Sequence, residues 1–201
     1  MKFIGITGGV GAGKSAILSY IKEHFQAKVV LADDLAKSLM LPGTDCYREI
    51  QKAFEDLEVF DPEGQIDSEK MAKVVFSDAP RRQQLNDIVH TAVKREVMRM
   101  VSVEREKKEY DYFFFEAALL IEEEYDKLCD ELWYIYTDET HRRQRLKAGR
   151  GYSDAKIDSI FASQQKESTF RAYCKVVIDN NGEPEEAFRQ IQKILHEEND
   201  K

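Results

Sequence analysis

The sequence predicts an α/β fold of three layers, in which helices cover both faces of a five-stranded, mostly parallel sheet. A glycine-rich segment at residues 8–15 stands between a short apolar run and an amphipathic one, as at a strand–loop–helix junction. Further short apolar runs alternate with helical patterns, which is typical of parallel strands joined by crossover helices. At 201 residues, the chain is long enough to bury a core without the help of disulfides or structural metals.

The individual elements follow from apolar runs and from the residues that interrupt them. Strands are expected at Lys2–Thr7, 28–31, 110–115, 131–136 and 175–178. Helices are expected at 14–25, 35–40, 47–55, 68–76, from 79 to beyond 101, and from about 183. Pro42 and Gly43 end one helix, Asp67 precedes another, and Pro80 lies near the first position of the longest.

Residues 8–15 match Gly-x-x-x-x-Gly-Lys-Ser, the phosphate-binding loop (P-loop) of nucleoside triphosphate enzymes. Glycines let successive backbone N–H groups turn toward phosphate oxygens, Lys14 reaches the β- and γ-phosphates, and the Ser15 hydroxyl is placed for Mg²⁺. We therefore expect a P-loop NTPase core that binds ATP and Mg²⁺, the alternative being a glycine-rich turn without a ligand. The expected nucleotide-binding residues are Gly8, Gly9, Val10, Gly11, Ala12, Gly13, Lys14, Ser15 and Ala16.

The chain is expected to form a single domain, residues 1–201, built on this core. The helical stretch between the second and third strands is longer than a crossover requires, which predicts an inserted helical subdomain for the acceptor at about 44–109. A small helical lid is expected at about 141–170. The nucleotide-binding core then comprises about 1–43, 110–140 and 175–201.

Two carboxylates follow predicted strands, where ligands bind in open α/β sheets. Asp33 comes just after the second strand and could orient and deprotonate an acceptor hydroxyl. Alternatively, Asp33 or Asp34 caps the following helix. Glu116 closes the third strand and is expected either to contact Mg²⁺ through water or to be an ordinary acid at a strand end.

A basic run between residues 142 and 150 contains no acid. Its cations are Arg142, Arg143, Arg145, Lys147 and Arg150. Such a run is either a solvated helix face or, beside a P-loop, a lid that closes on polyphosphate. Arg145 and Arg150 are the arginines expected to act in catalysis, and Arg142 and Arg143 are expected on the outer face. With few acids to pair with, the segment is expected to be mobile until nucleotide binds.

Composition limits the other functions. The net charge of −8 does not favour a nucleic-acid-binding surface. Three widely spaced cysteines argue against a disulfide framework or zinc site and for a reducing compartment. No apolar run has the length of a signal peptide or membrane span, so a cytoplasmic protein without membrane contact is expected. The oligomeric state is left open between a monomer and a small homo-oligomer.

Taken together, these segments resemble the dephospho-coenzyme A kinase family over nearly the full length. The matching segments are residues 6–15, Ala32-Asp33 with Pro42-Gly43, Leu85-Asn86 with His90, residues 118–122, Gln164 and residues 177–182. The chain departs from the family pattern at Leu31, Lys37, Thr91 and Ala118. Lys37 replaces an arginine, so it supplies charge without a bidentate fork.

The resemblance implies transfer of the ATP γ-phosphoryl group to the ribose 3′-hydroxyl of dephospho-coenzyme A. It implies that Lys14, Asp33, Arg145 and Arg150 act in catalysis. The acceptor-binding residues implied are Asp33, Lys37, His90 and Leu119, with Ser15 and Glu116 serving the metal. The competing hypotheses are a kinase for another small nucleotide-like acceptor and a nucleotide-dependent switch ATPase without an acceptor.

Overall fold

The computed structural model describes residues 1–199, with the side chains of residues 1–196. The last two residues of the expected core segment 175–201 therefore lie outside the described part. A five-stranded sheet is formed by β1 (Lys2–Thr7), β2 (Ala27–Leu31), β3 (Tyr112–Glu116), β4 (Glu131–Tyr136) and β5 (Val176–Asp179). The strand order is β2-β3-β1-β4-β5, and β1 pairs in parallel with both β3 and β4, as β4 does with β5.

The central strand β1 is apolar along most of its length because helices cover the sheet on both sides. Phe3, Ile4 and Ile6 have no exposed surface, and the same is true of Phe113 and Phe114 on the neighbouring β3. Burying each such side chain stabilises the fold by about 1.5–3 kcal/mol relative to leaving it exposed. The chain leaves β1 toward β2 and β3 on one side and reaches β4 and β5 on the other. Ligands of open α/β sheets bind at such a reversal of strand order.

The chain divides into two compact units, Met1–Val29 with Lys108–Lys201, and Val30–Lys107. The first unit holds α1 (Lys14–His24), α6 (Glu139–Arg150), α7 (Asp154–Ser163), α8 (Glu167–Tyr173) and α9 (Pro184–Asn199). Helices α1 and α9 pack on each other, α9 packs on β5, and α8 packs on β4. A short 3₁₀ turn, Tyr125–Lys127, lies between β3 and β4.

The second unit is helical and has a small core of its own. It contains α2 (Ala32–Leu39), α3 (Asp45–Ala53), α4 (Ser68–Ser77) and the long α5 (Ala79–Lys107), against which the other three pack. Ile50, Phe54 and Val59 are at most 1% exposed in this core. Side chains cap two of the helices, since Thr44 accepts from the Tyr47 N–H and Asp67 from the N–H groups of Glu69 and Lys70.

The structure confirms the predicted fold class and moves one functionally important boundary. Helix α2 begins at Ala32 rather than 35, because β2 runs into it without a loop. The N-cap residue is Leu31, and it makes no side-chain cap hydrogen bond. Asp33 and Asp34 lie inside the first turn, so the expectation that either caps this helix is wrong. The remaining boundaries differ from expectation by a few residues at most.

Candidate active site

The glycine-rich loop joins the carboxyl end of β1 to the amino end of α1. Gly13 is the N-cap of α1 and has φ +87°, a left-handed conformation that glycine adopts without strain. Within residues 1–199, the backbone N–H groups of Gly9, Gly11 and Gly13 donate to no carbonyl oxygen. Free N–H groups at the positive end of a helix form an anion-binding site, so the loop has the chemistry to hold phosphate.

The side chain of Lys14 reaches back from the end of the loop to its beginning at Gly8. Its Nζ donates to the Gly8 carbonyl at 2.8 Å and lies 3.5 Å from Glu116 Oε1. Burial lowers the pKa of the Lys14 ammonium, and the charges of Arg142 and Arg150 lower it further, whereas Glu116 opposes the shift. Among the described residues, the charges that act on Lys14 are thus those of two further cations and one carboxylate. Phosphate oxygens would supply the missing negative charge.

Ser15 and Glu116 are the residues whose chemistry fits a magnesium ion. Ser15 is exposed at the start of α1, and Glu116 ends β3 opposite Ile6 of β1. Among the described residues there is no cluster of three or more histidines, cysteines or acids that could hold a metal without help. One hydroxyl and one carboxylate suit Mg²⁺, which is held by few protein ligands and completes its shell with phosphates and water.

Arg142 lies beside the loop and not on the outer face of its helix, which corrects the expectation from the sequence. Its Nη1 donates to Gln164 Oε1 at 2.9 Å, and its guanidinium stacks on Phe161 at 4.2 Å. A Cβ atom on Gly9 would lie 1.6 Å from this Nη1, so a side chain there would displace the guanidinium from the loop. The buried Nε has no hydrogen-bond partner among the described residues. Arg142 is therefore a positioned cation with unused donors.

A cavity of about 300 Å³ adjoins this guanidinium within the first unit. It is lined by side chains of β4, α6, α7 and α8, including Tyr134, Phe161, Gln164 and Phe170. The space beside Arg142 is thus open to a ligand and is not filled by protein.

The basic run has acidic partners that the sequence alone did not indicate. Arg143 contacts Asp154 at 2.9 Å and Asp158 at 2.5 Å, and Lys147 contacts Asp154 at 2.8 Å. These acids lie on α7, outside the run of cations. The expectation that this run lacks counter-charge is therefore wrong for these two residues, which face α7. Arg143 alone matches its expected position away from the loop.

Arg145 and Arg150, which the sequence marks as catalytic, have different surroundings. Arg145 Nη2 donates to the Asn180 carbonyl at 2.9 Å, and its Nη1 lies 3.5 Å from the Ala12 carbonyl. Both contacts are to backbone oxygens, so Arg145 holds the back of the loop. Arg150 is exposed at the end of α6, with its guanidinium 5.9 Å from the Tyr152 ring. It remains available to a ligand.

The other predicted site residues lie on different elements. In the second unit, Asp33 is exposed in the first turn of α2 without a partner among the described residues, and Lys37 is paired with Asp34 at 3.5 Å. His90 is half-buried on α5 of the same unit. In the first unit, Leu119 is 43% exposed in the turns after β3. In the part of the chain that the structure describes, no helix is both long and apolar enough to cross a membrane.

Comparison with known proteins agrees with this geometry. The model of the dephospho-CoA kinase family matches residues 2–186. A dephospho-CoA kinase of Geobacter sulfurreducens is 36% identical over 194 residues, which are 96% of this chain and 97% of the relative. The crystal structure of TT1252 from Thermus thermophilus has a TM-score of 0.78 at 26% identity and covers 98% of this chain and 97% of its own. A dephospho-CoA kinase from Campylobacter jejuni shares the fold, with a TM-score of 0.70 at 18% identity and 96% of both chains covered.

Lys14→Ala should lower the rate of phosphoryl transfer from ATP by about 10²–10³-fold, the usual loss when one preorganised donor is removed. Because burial and neighbouring cations already disfavour the charged ammonium, its removal should change thermal stability little. Steady-state turnover and melting temperature are the measurements. Lys22→Ala, an exposed lysine on the same helix, is the matched control and should leave turnover unchanged. Retention of more than about a tenth of the rate in Lys14→Ala would contradict the assignment of this site.

Proposed function

Because the chain belongs to the dephospho-CoA kinase family, we propose that it transfers the γ-phosphoryl group of ATP to the ribose 3′-hydroxyl of dephospho-coenzyme A. The products are ADP and coenzyme A. The observation that carries this proposal is the family match over residues 2–186, which contains the phosphate-binding loop with its free N–H groups. Lys14 and Arg142 beside that loop supply the cations that the reaction requires.

The phosphate chain of ATP is held by the loop. Its oxygens accept from the free N–H groups and lie at the positive end of α1. Lys14 exchanges the Gly8 carbonyl and part of its contact with Glu116 for the β- and γ-phosphates. Burial lowers the pKa of this ammonium. The negative charge of a bound phosphate would raise that pKa again and keep the side chain charged.

Ser15 and Glu116 are proposed to hold Mg²⁺, Ser15 directly and Glu116 through water. When bound, the metal would neutralise charge on the β- and γ-phosphate oxygens. Apart from holding the metal, Ser15 and Glu116 position the groups around the loop. Glu116 also keeps Lys14 at the loop before ATP binds.

The acceptor is proposed to bind through Asp33. Asp33 follows β2 as Glu116 follows β3, and its carboxylate is free to orient the 3′-hydroxyl and accept its proton. Lys37, His90 and Leu119 are proposed to contact other parts of dephospho-coenzyme A. We also propose, from the sequence, a helical acceptor-binding segment at about 44–109 and a lid at about 141–170. A cytoplasmic location without nucleic-acid or membrane partners is proposed on the same basis.

Arg142 and Arg150 are proposed to stabilise charge on the transferring group, with Arg145 in a positioning role. Arg142 is held by Phe161 and Gln164, so its guanidinium loses little freedom when it meets phosphate. Phosphoryl transfer is catalysed mostly by positioning and electrostatic stabilisation. A lid closed over the site would also exclude the water that otherwise hydrolyses ATP.

A coupled assay for ADP release tests the function. ATP, Mg²⁺ and dephospho-coenzyme A should release ADP and form coenzyme A in equal amounts, while excess EDTA should stop the reaction. A control without acceptor should release little ADP. Turnover with adenosine monophosphate but not with dephospho-coenzyme A would indicate a different small-molecule kinase. Equal release with and without acceptor would indicate a switch ATPase.

Asp33→Asn should lower turnover by about 10²-fold or more, because the amide retains the shape but cannot accept the hydroxyl proton. The KM for ATP should change little, since the loop is untouched. The matched control is Asp34→Asn, the neighbouring exposed carboxylate, which is paired with Lys37. Turnover and KM for both substrates should be measured. Near wild-type turnover in Asp33→Asn would remove this residue from the mechanism.

Arg142→Ala should lower turnover by about 10²-fold, because it removes a preorganised cation from the phosphate site. Arg143→Ala is the control from the adjacent position, where the guanidinium faces Asp154 and Asp158. Exposed ion pairs of this kind contribute about 0–1 kcal/mol, so its turnover should stay close to that of the unmodified protein. If Arg143→Ala were the more damaging change, the assignment of Arg142 would be wrong.

A further inference from the structure

The Ala12 carbonyl collects donors from three parts of the chain. Asn180 Nδ2 donates to it at 2.7 Å, the Thr137 hydroxyl lies at 3.1 Å, and Arg145 Nη1 lies at 3.5 Å. Asn180 and Thr137 are 7% and 4% exposed, so these contacts are shielded from water. A single loop carbonyl is therefore fixed by the segments that follow β4 and β5.

Fixing this carbonyl also fixes an N–H group. The Ala12 C=O and the Gly13 N–H belong to one planar trans peptide and point in opposite directions. Because the carbonyl is turned toward Asn180, the Gly13 N–H is turned away from it. Within residues 1–199 that N–H donates to no carbonyl oxygen. Without the anchor, the peptide could rotate and present its oxygen to the phosphates, which it would repel.

The packing around Gly13 supports this arrangement independently. A Cβ atom at Gly13 would lie 2.4 Å from Asn180 Nδ2, and the φ of +87° already disfavours other residues. The amide of Asn180 thus occupies the space that a side chain would need. Its own position is fixed as well, because its N–H donates to Tyr136 and its carbonyl accepts from Arg145.

We propose that Asn180 is a positioning residue, which orients the Ala12–Gly13 peptide so that the Gly13 N–H binds the phosphate chain of the nucleotide. Thr137 and Arg145 assist by contacting the same carbonyl. The expected ligand class is any linear polyphosphate, whether or not it carries a base. The proposal concerns the nucleotide loop only, so it stands apart from the identity of the acceptor.

Binding of two probes to three variants tests the role of Asn180. In Asn180→Ala the affinities for ATP and for inorganic tripolyphosphate should both fall by about tenfold, since a buried carbonyl loses its main donor. Asn180→Asp should bind both more weakly still, because a carboxylate would face the carbonyl. The KM for the acceptor should not change. Asn181→Ala is the matched control, since Asn181 accepts from the Asp138 N–H and does not touch the loop.

Isothermal titration calorimetry gives both affinities, and thermal melting reports stability. A loss of ATP affinity with unchanged tripolyphosphate affinity would overturn the proposal, because it would mark Asn180 as a contact to the base. A lower melting temperature with both affinities unchanged would also overturn it. Should the Asn180 variants fail to fold, Thr137→Val provides the test, since it removes one hydroxyl with little change of shape. Thr137→Val should weaken the binding of both probes by several-fold. Affinities equal to those of the wild-type protein would reject the proposal.

Discussion

The burial of β1 between two parallel neighbours is the constraint on which the rest of the site depends. Its side chains at Phe3, Ile4 and Ile6 are fully enclosed, so the strand cannot shift without exposing the core. The chain must then leave the sheet at a fixed point, the carboxyl end of β1, which lies between β3 and β4 where the strand order reverses. Glycines make the sharp exit possible, and α1 begins at once. A flexible sequence is thereby held between two rigid elements.

Electrostatics follows from this placement. The charges of Arg142 and Arg150 act on the buried Lys14 ammonium, where Glu116 is the carboxylate that opposes them, and burial makes the repulsion on Lys14 costly. The fold thus tolerates positive charge repelling positive charge at Lys14. A bound polyphosphate would relieve this repulsion and so gain binding free energy. The overall charge of −8 does not oppose this, because exposed charges beyond about 8 Å are largely screened at physiological salt.

Much of the fold and of the loop could be predicted because their signals are local. Apolar runs located all five strands, and the loop pattern located Lys14 and Ser15. The roles within α6 could not be predicted in this way. Arg142 and Arg143 are adjacent in sequence but have different partners, and the acids that pair with Arg143 lie 11 and 15 positions further along the chain. The start of α2 was also missed, since nothing in the sequence marks a strand that continues directly into a helix.

Contacts between distant segments give Arg145 surroundings that its own stretch of sequence does not indicate. A basic residue beside a P-loop suggests a phosphate ligand, yet Arg145 donates to backbone oxygens supplied by residues far away in sequence. The hydrogen bond from Asn180 to Ala12 spans 168 positions. Such contacts leave the net charge of the site unchanged and act by turning peptides. In the proposed site, phosphate recognition would thus have two separable parts, charge from Lys14 and Arg142 and orientation from Asn180 and Arg145. The orientation of the Ala12–Gly13 peptide depends on the segments that follow β4 and β5. It therefore depends on the completed sheet.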